Sequence, residues 1–198
     1  GKPDVIGNAN YPDSVIAIHR NTSTLGKITM DSIVKINFSG RAGKSAIADL
    51  DGDGKPEIIV LLPGNLKAII LPNNSTPGTL AFGTPIELSA AQNPIFIVIN
   101  DIDGNGKPDI AVANQLGNSV SVYRNNSTPG NFSFVTNLLN ATYIGGVSPT
   151  SLALADFDQD SKPDLAIAFP FSNKYKVLRN TSVKDSISFV FAHEIKTD

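Results

Sequence analysis

Three short segments of the chain concentrate carboxylates at a spacing suited to holding a cation. Each is nine residues long, and they run from Asp49 to Glu57, from Asp101 to Asp109 and from Asp156 to Asp164. Each has an acid at positions 1, 3 and 9 and an acid or amide at position 5. They hold 11 of the chain's 18 acidic residues, although the net charge of the whole chain is only −2. Such crowded carboxylates repel one another unless a cation lies among them.

The donor set favours calcium. Calcium takes six to eight oxygens at about 2.3–2.6 Å, and each segment offers four side chains and the backbone carbonyl at position 7. Magnesium demands stricter octahedral geometry, and zinc is disfavoured in a chain with no cysteine and two histidines. About three Ca²⁺ ions are predicted, with the lysines acting through their carbonyls. The predicted ligands are Asp49, Asp51, Asp53, Lys55 and Glu57; Asp101, Asp103, Asn105, Lys107 and Asp109; and Asp156, Asp158, Asp160, Lys162 and Asp164.

Two other interpretations of these segments are disfavoured by the sequence. An EF-hand places a bidentate Glu at position 12, where this chain has Val60, Val112 and Ile167. Proline at position 8, followed by β-branched residues, also leads into a strand rather than a helix. Ordinary Asp-Gly hairpin turns are the other alternative, but a turn does not need three or four carboxylates.

The acidic segments belong to a repeat that extends over the whole chain. Their first residues are 52 and 55 apart, and an Asn-x-Ser marker recurs at intervals of 52, 52 and 55, starting at Asn21, Asn73, Asn125 and Asn180. Each copy contains short apolar runs punctuated by Gly, Pro and Asn, which predict four strands. In the third copy these runs are about 94–101, 109–114, 119–124 and 132–138. No segment has a capped helical pattern.

Four-stranded units at this interval predict an all-β fold of β-propeller blades, with a β-sandwich as the alternative. We expect residues 1–198 to form a single partial β-propeller of about four blades, each of four antiparallel strands. The predicted blades span about 1–39, 40–90, 91–147 and 148–198. The first copy lacks its innermost strand. The blades are therefore expected to be part of a larger ring, completed within the same polypeptide or by a second chain.

The acidic segments resemble the loops of the FG-GAP/VCBS repeat family, the calcium-binding β-propeller blades also found in integrin alpha-subunit heads. The fuller signature is visible in residues 148–158, Ser-Pro-Thr-Ser-Leu-Ala-Leu-Ala-Asp-Phe-Asp, followed by Lys-Pro-Asp-Leu-Ala at 162–166. The resemblance implies that each segment joins the first and second strands of a blade and holds one calcium on one face of the propeller. The third segment departs from the pattern because Gln159 and Ser161 replace both glycines. Glu57, longer than aspartate, departs in the first.

Signals for catalysis are poor, and we expect no enzyme activity. His19 occupies a strand position that is Leu71, Tyr123 or Leu178 in the other copies. Gly-Lys-Ser at 43–45 lacks the upstream glycine of a phosphate-binding loop, because residue 38 is Phe. Nucleic-acid binding is not expected because the basic residues are scattered. The longest apolar runs, such as 95–99, have five residues and are far too short to cross a membrane.

Binding is the predicted role. In propellers of this kind, ligands usually contact the face opposite the calcium loops, and Tyr11, Arg41, Tyr143 and Phe171 are the candidate contacts there. The resemblance implies a calcium-stabilised extracellular adhesion or recognition module for a protein or glycan at a cell surface, as in a secreted bacterial protein. The alternative is a non-catalytic β-propeller domain of a larger secreted polysaccharide-active enzyme.

Overall fold

The computed structural model describes residues 4–9 and 14–196. The regular elements of this part of the chain are almost all β-strands; the exceptions are one α-helical turn, α1 (Ala141–Ile144), which the sequence did not predict, and two 3-10 turns, Pro63–Asn65 and Pro170–Ser172. The strands are β1 (Val5–Ala9), β2 (Val15–Asn21), β3 (Met30–Asn37), β4 (Ser45–Ala48), β5 (Glu57–Leu62), β6 (Lys67–Leu71), β7 (Ile86–Ser89), β8 (Pro94–Asn100), β9 (Asp109–Asn114), β10 (Ser119–Asn125), β11 (Phe134–Leu139), β12 (Ser151–Ala155), β13 (Asp164–Phe169), β14 (Lys174–Asn180) and β15 (Phe189–Lys196). In the third copy these bounds agree with the predicted runs to within two residues.

The strands form four antiparallel sheets, each of which follows the order of the chain. The first sheet is β1–β3, the second β4–β7, the third β8–β11 and the fourth β12–β15. Among the described residues the first sheet has three strands and the others four. This confirms the predicted all-β fold of blade-like sheets, and the described sheets do not close into a ring.

Neighbouring sheets bury their apolar faces against each other along three seams. The side chains of β5 point alternately into two of these seams. Ile58 and Val60 pack toward the first sheet, whereas Ile59 and Leu61 pack toward the third. A strand covered on both faces reads as a continuous apolar run, and all six residues of β5 are buried. Such a small sheet therefore depends on its neighbours for its core.

The first strand of each complete sheet lies at the sheet's inner edge. β8 contacts both β4 and β12, the corresponding strands of the sheets on either side. This agrees with the prediction from Ile95–Ile99, a run that is apolar on both faces. The position matters for the site because each acidic segment follows directly from one of these inner strands. Within residues 4–9 and 14–196, no helix is long and apolar enough to span a membrane.

Candidate metal centres

The three acidic segments occupy equivalent loops. They connect β4 to β5, β8 to β9 and β12 to β13, and we call them the first, second and third acidic loops. The last acid of each loop, Glu57, Asp109 or Asp164, is also the first residue of the following strand. The fold thus places each loop between the first and second strands of a sheet, as the family resemblance implies.

The aspartate at position 1 holds the curl of each loop through backbone N–H groups. In the first loop, Asp49 Oδ1 accepts from Gly52 N at 2.8 Å and Oδ2 from Gly54 N at 2.9 Å. Both glycines have positive φ, +79° and +85°, which glycine adopts at little cost. Asp101 makes the corresponding contacts with Gly104 and Gly106.

The third loop keeps this curl without glycine. Gln159 and Ser161 adopt φ of 63° and 69°, in the same left-handed region as the glycines of the other loops. Ser161 N donates to Asp156 Oδ2 at 2.9 Å, and Asp160 N donates to Asp156 Oδ1 at 3.1 Å. A left-handed conformation costs a residue with a Cβ roughly 1–2 kcal/mol. The third loop is therefore strained rather than remodelled.

Each loop brings three carboxylates together, with one possible ligand atom from each residue within 4.8 Å of the others. Glu57 is not a member of the first group, where the position-5 aspartate takes its place. In the second and third loops the position-9 aspartate belongs to the group. The groups are Asp49, Asp51 and Asp53; Asp101, Asp103 and Asp109; and Asp156, Asp158 and Asp164.

The position-9 carboxylate connects its loop to the Asn-x-Ser turn of the same sheet. Asp109 Oδ2 accepts from Ile102 N at 2.9 Å, and Oδ1 accepts from Asn125 N at 2.7 Å. Each oxygen has a second lone pair that remains available to a cation. The same pair of contacts is made by Glu57 with Leu50 and Asn73, and by Asp164 with Phe157 and Asn180.

Burial makes the charged forms of these acids costly. It raises the pKa of Asp109 from 3.8 to about 6, against the lowering effect of two backbone hydrogen bonds, and the charges of Asp103 and Asp101 add to the rise. Burial also raises the pKa values of Glu57 and Asp103. A cation among the carboxylates reverses this effect because it favours the charged forms. The donor chemistry and the electrostatics of the loops therefore fit a hard divalent cation.

The ammonium groups of the position-7 lysines lie close to polar groups. Lys107 Nζ donates to the carbonyl of Ser127 at 2.7 Å, and Lys162 Nζ donates to that of Ser182 at 2.7 Å. Lys55 Nζ lies 3.9 Å from Asp53 Oδ2. The use of the lysine carbonyls as ligands stays a prediction.

The Asn-x-Ser turns of the third and fourth sheets contact the acidic loop of the preceding sheet, and each of these loops is called covered. The sequence did not predict these contacts. Asn125 Nδ2 donates to the carbonyl of Leu50 at 2.7 Å, and Gly130 N donates to Asp51 Oδ2 at 2.7 Å. At the next seam, Asn180 Nδ2 donates to the carbonyl of Ile102 at 2.8 Å. The sequence carried one signal for these contacts, because the Asn-x-Ser markers and the acidic loops recur at the same interval.

Arg124 extends the contact at the seam between the third and fourth sheets. Its Nη1 lies 3.9 Å from Asp103 Oδ2 and 3.4 Å from Asp185 Oδ1, which belongs to the turn of the fourth sheet. The position-3 aspartates of the covered loops, Asp51 and Asp103, are 6% and 5% exposed. Asp158, which no following sheet of the described chain covers, is exposed. The three loops therefore have the same curl but different surroundings.

Arg41 and Phe171 lie at the other ends of the strands, and Tyr143 lies in the link between β11 and β12. Arg41 is exposed and precedes β4, Tyr143 is 45% exposed in α1, and Phe171 is 75% exposed between β13 and β14. The Tyr143 hydroxyl donates to the carbonyl of Phe189. No hydrogen bond or ring contact of the described residues joins Arg41, Tyr143 and Phe171 to one another. Tyr11 lies outside the described residues.

Comparison with known families supports the resemblance of the acidic loops to those of FG-GAP repeats. Residues 101–167 match the family model of the FG-GAP-like repeat. The chain contains an FG-GAP-like repeat. The FG-GAP-like repeat begins at the first residue of the second acidic loop and ends within β13, so it includes the second and third loops and most of the third sheet. This confirms the resemblance stated from the sequence. The comparison with curated proteins gives no match.

Proposed function

We propose that this chain is a calcium-stabilised, β-propeller-like recognition module that works outside the cell and has no catalytic activity. The observation that carries the proposal is the repetition of one carboxylate arrangement in three equivalent loops. A catalytic centre is normally built once from residues of unlike kinds. Carboxylate groups that recur in the equivalent loop of each sheet suit a metal ion with a structural role.

Calcium fits the loops better than a smaller or softer cation. Every side-chain donor is a carboxylate or amide oxygen, and the groups belong to curled loops rather than to octahedral cages. The residues that would hold the ion are those at positions 1, 3 and 9, together with position 5. Once bound, the ion supplies the positive charge that offsets repulsion between the buried carboxylates.

The expected gain in stability follows from mass action. A ligand that binds only the folded state stabilises that state by about 0.4 kcal/mol per site at a concentration equal to its Kd, and by about 1.4 kcal/mol per site at a tenfold excess. Extracellular calcium modules typically have Kd values of about 10⁻⁴–10⁻³ M. Sites in this range fill outside the cell, which supports an extracellular or cell-surface setting.

Calcium titration tests the proposal directly. We expect calorimetry to count about three Ca²⁺ ions per chain and the melting temperature to fall in excess chelator. Asp101→Asn should remove one ion, whereas Glu87→Gln, which removes a carboxylate from an exposed position on β7, should leave the count unchanged. A melting temperature that is the same in calcium and in chelator would refute the stabilising role. A full ion count in Asp101→Asn would refute the ligand assignment.

The proposed recognition surface lies at the strand ends opposite the acidic loops. Three equivalent links there, each between the second and third strands of a sheet, present exposed apolar side chains. Leu66 is 44% exposed, Leu116 is 63% exposed and Phe171 is 75% exposed. Variable side chains on short links of a rigid scaffold are a common basis for specificity. A protein or glycan at a cell surface is the proposed ligand.

Binding to cells and to a glycan array tests this surface. Phe171→Ser should reduce binding, whereas Val183→Ser should not, because Val183 is similarly exposed (64%) but lies in a turn on the side of the acidic loops. Binding to an insoluble polysaccharide instead of to cells would favour the alternative, a domain of a polysaccharide-active enzyme. Equal loss of binding in both variants would place the contact elsewhere.

A further inference from the structure

Charged side chains are separated between the two ends of the sheets. The acidic loops at one end hold 11 of the chain's 18 acidic residues. The opposite end consists of the links between second and third strands, the links that join successive sheets, and the strand residues next to these links; we call it the recognition end. Its basic side chains outnumber its acidic ones by seven to two among the described residues. They are Lys35, Arg41, Lys44, Lys67, Lys174, Lys176 and Lys196, with Glu87 and Glu194.

The two glutamates of the recognition end are already paired within the chain. Lys67 Nζ lies 2.5 Å from Glu87 Oε2. Glu194 Oε2 lies 3.5 Å from Lys174 Nζ and 3.1 Å from Lys176 Nζ. The remaining basic side chains of this end therefore have no nearby carboxylate to neutralise them.

Arg41 and Lys44 are the most exposed to this lack of a partner. Both side chains are accessible to solvent, on the link 38–44 between β3 and β4. Within residues 4–9 and 14–196, no hydrogen bond or ion pair engages either cationic group. Lys44 Nζ lies instead 3.2 Å from the centroid of the Phe96 ring, on the inner strand of the third sheet. A ring face attracts a cation, but it leaves the hydrogen-bond donors of the ammonium free.

The electrostatics of Lys44 favour an anion beside it. Partial burial lowers the pKa of Lys44 because it removes part of the hydration that stabilises the ammonium. An anion within hydrogen-bond reach reverses this effect by favouring the charged form. The surroundings of Lys44 thus hold a cation that an external anion would stabilise.

The link that carries both cations is firmly anchored. Ala42, between them, is fully buried. Gly43 N donates to the carbonyl of Leu61 at 2.7 Å, and Asn65 Nδ2 donates to the carbonyl of Ser39 at 2.8 Å. A backbone that is already ordered loses little conformational entropy when a ligand binds.

The recognition end also exposes apolar side chains, which narrows the chemistry of the ligand. Leu66, Leu116 and Phe171 lie on its links, and the C–H faces of a sugar ring can pack against such groups. A guanidinium binds a carboxylate or sulfate through two parallel hydrogen bonds. Duplex DNA fits less well, because it carries one charge per about 1.7 Å of its axis and would meet few unpaired cations here.

We propose that the recognition end binds an acidic polysaccharide, whose carboxylate or sulfate groups are held by Arg41 and Lys44. This inference rests on the proposed recognition role and names the class of ligand for it. The basic residues are scattered along the sequence, but the up-and-down order of the strands brings them to one end of the sheets. The excess of positive charge at this end steers an anionic polymer toward it.

Surface plasmon resonance on immobilised polymers tests the proposal at constant calcium. The polymers are hyaluronan, which is carboxylated, dextran sulfate, uncharged dextran and duplex DNA. We expect the parent chain to bind hyaluronan, dextran sulfate or both, and not to bind dextran. The affinity should fall steeply as NaCl is raised from about 50 to about 500 mM, because salt screens charges at an exposed surface.

Two double variants with the same loss of charge locate the contact. Arg41→Gln combined with Lys44→Gln should weaken binding at least about tenfold, because it removes two charge-assisted contacts. Lys27→Gln combined with Lys184→Gln is the matched control. It removes two exposed lysines from turns on the side of the acidic loops and should bind like the parent. Both double variants should keep the β circular-dichroism spectrum of the parent, because all four side chains are exposed.

Three outcomes would each overturn the acidic ligand. They are a parent that binds neither charged polysaccharide, an equal loss of binding in the two double variants, and tighter binding to duplex DNA than to either polysaccharide. The recognition role itself is decided separately, by the binding of the parent and of Phe171→Ser to cells. A parent that binds cells but neither charged polysaccharide would keep the recognition role and refute only this inference.

Discussion

Replacing Asn125 by alanine isolates the contribution of a hydrogen bond that crosses a seam. Asn125 is fully buried. Its Nδ2 donates to the carbonyls of Leu50 at 2.7 Å and Pro108 at 3.0 Å, and its Oδ1 accepts from Ser127 N at 2.8 Å. Only the bond to Leu50 reaches the neighbouring sheet. The substitution by alanine removes all three of these hydrogen bonds.

Asn73 is the matched comparison because it occupies the same position in the second sheet. Its Nδ2 donates to Pro56 O at 2.9 Å and its Oδ1 accepts from Ser75 N at 3.0 Å, which reproduces the two bonds within the sheet but not the bond across the seam. Each buried group left without a partner costs roughly 1–3 kcal/mol. Asn125→Ala should therefore lower the free energy of unfolding by about 3 kcal/mol or more, and by at least about 1 kcal/mol more than Asn73→Ala.

Urea unfolding followed by circular dichroism measures this difference at constant calcium. For a chain of this size, 1 kcal/mol corresponds to about 2–4 °C in melting temperature, so a thermal melt provides a second measurement. Asn180→Ala should behave like Asn125→Ala because its side chain donates to Ile102 across the next seam. If Asn73→Ala costs as much as Asn125→Ala, the bond across the seam contributes nothing, and the reasoning is wrong.

Three further predictions follow from local geometry. Ser161→Gly should raise stability by up to about 1 kcal/mol in urea unfolding by relieving a positive φ, and a loss would show that the loop is not strained. The stability advantage of the parent over Asp109→Asn in chelator should shrink by about 2 kcal/mol as the pH rises from 4 to 7. The reason is that a carboxyl whose folded-state pKa is raised to about 6 stabilises fully below pH about 4 and loses that contribution as the pH passes 6; a gap independent of pH would contradict this. Gly146→Ala places a Cβ 2.7 Å from the buried Phe169 ring and should cost about 1–3 kcal/mol, whereas Gly64→Ala, with nothing within 4 Å, should cost less; equal losses in thermal melts would dismiss the clash.

Much of the fold could be predicted because its signals are local and repeated. The strands of the third sheet begin and end within two residues of their predicted positions, since Gly, Pro and Asn punctuate the apolar runs. The helical turn α1 was missed because four residues are too few to carry a helical period. At Gln159 and Ser161 the sequence left the backbone conformation open, whereas in the structure both residues adopt the left-handed geometry of the glycines they replace.

The amino-acid sequence alone determined the interval of the repeat, the order of the strands and the carboxylates of each acidic loop, because these depend on residues close together in the chain. Tertiary structure decided which loops are covered. Asp51 and Asp158 occupy the same position in equivalent loops, yet one is buried and the other exposed. That difference depends on whether another sheet packs alongside, through contacts such as Gly130 to Asp51 that join residues 79 apart in sequence. A local pattern does not encode such a distant contact, so only the packing of whole sheets reveals it.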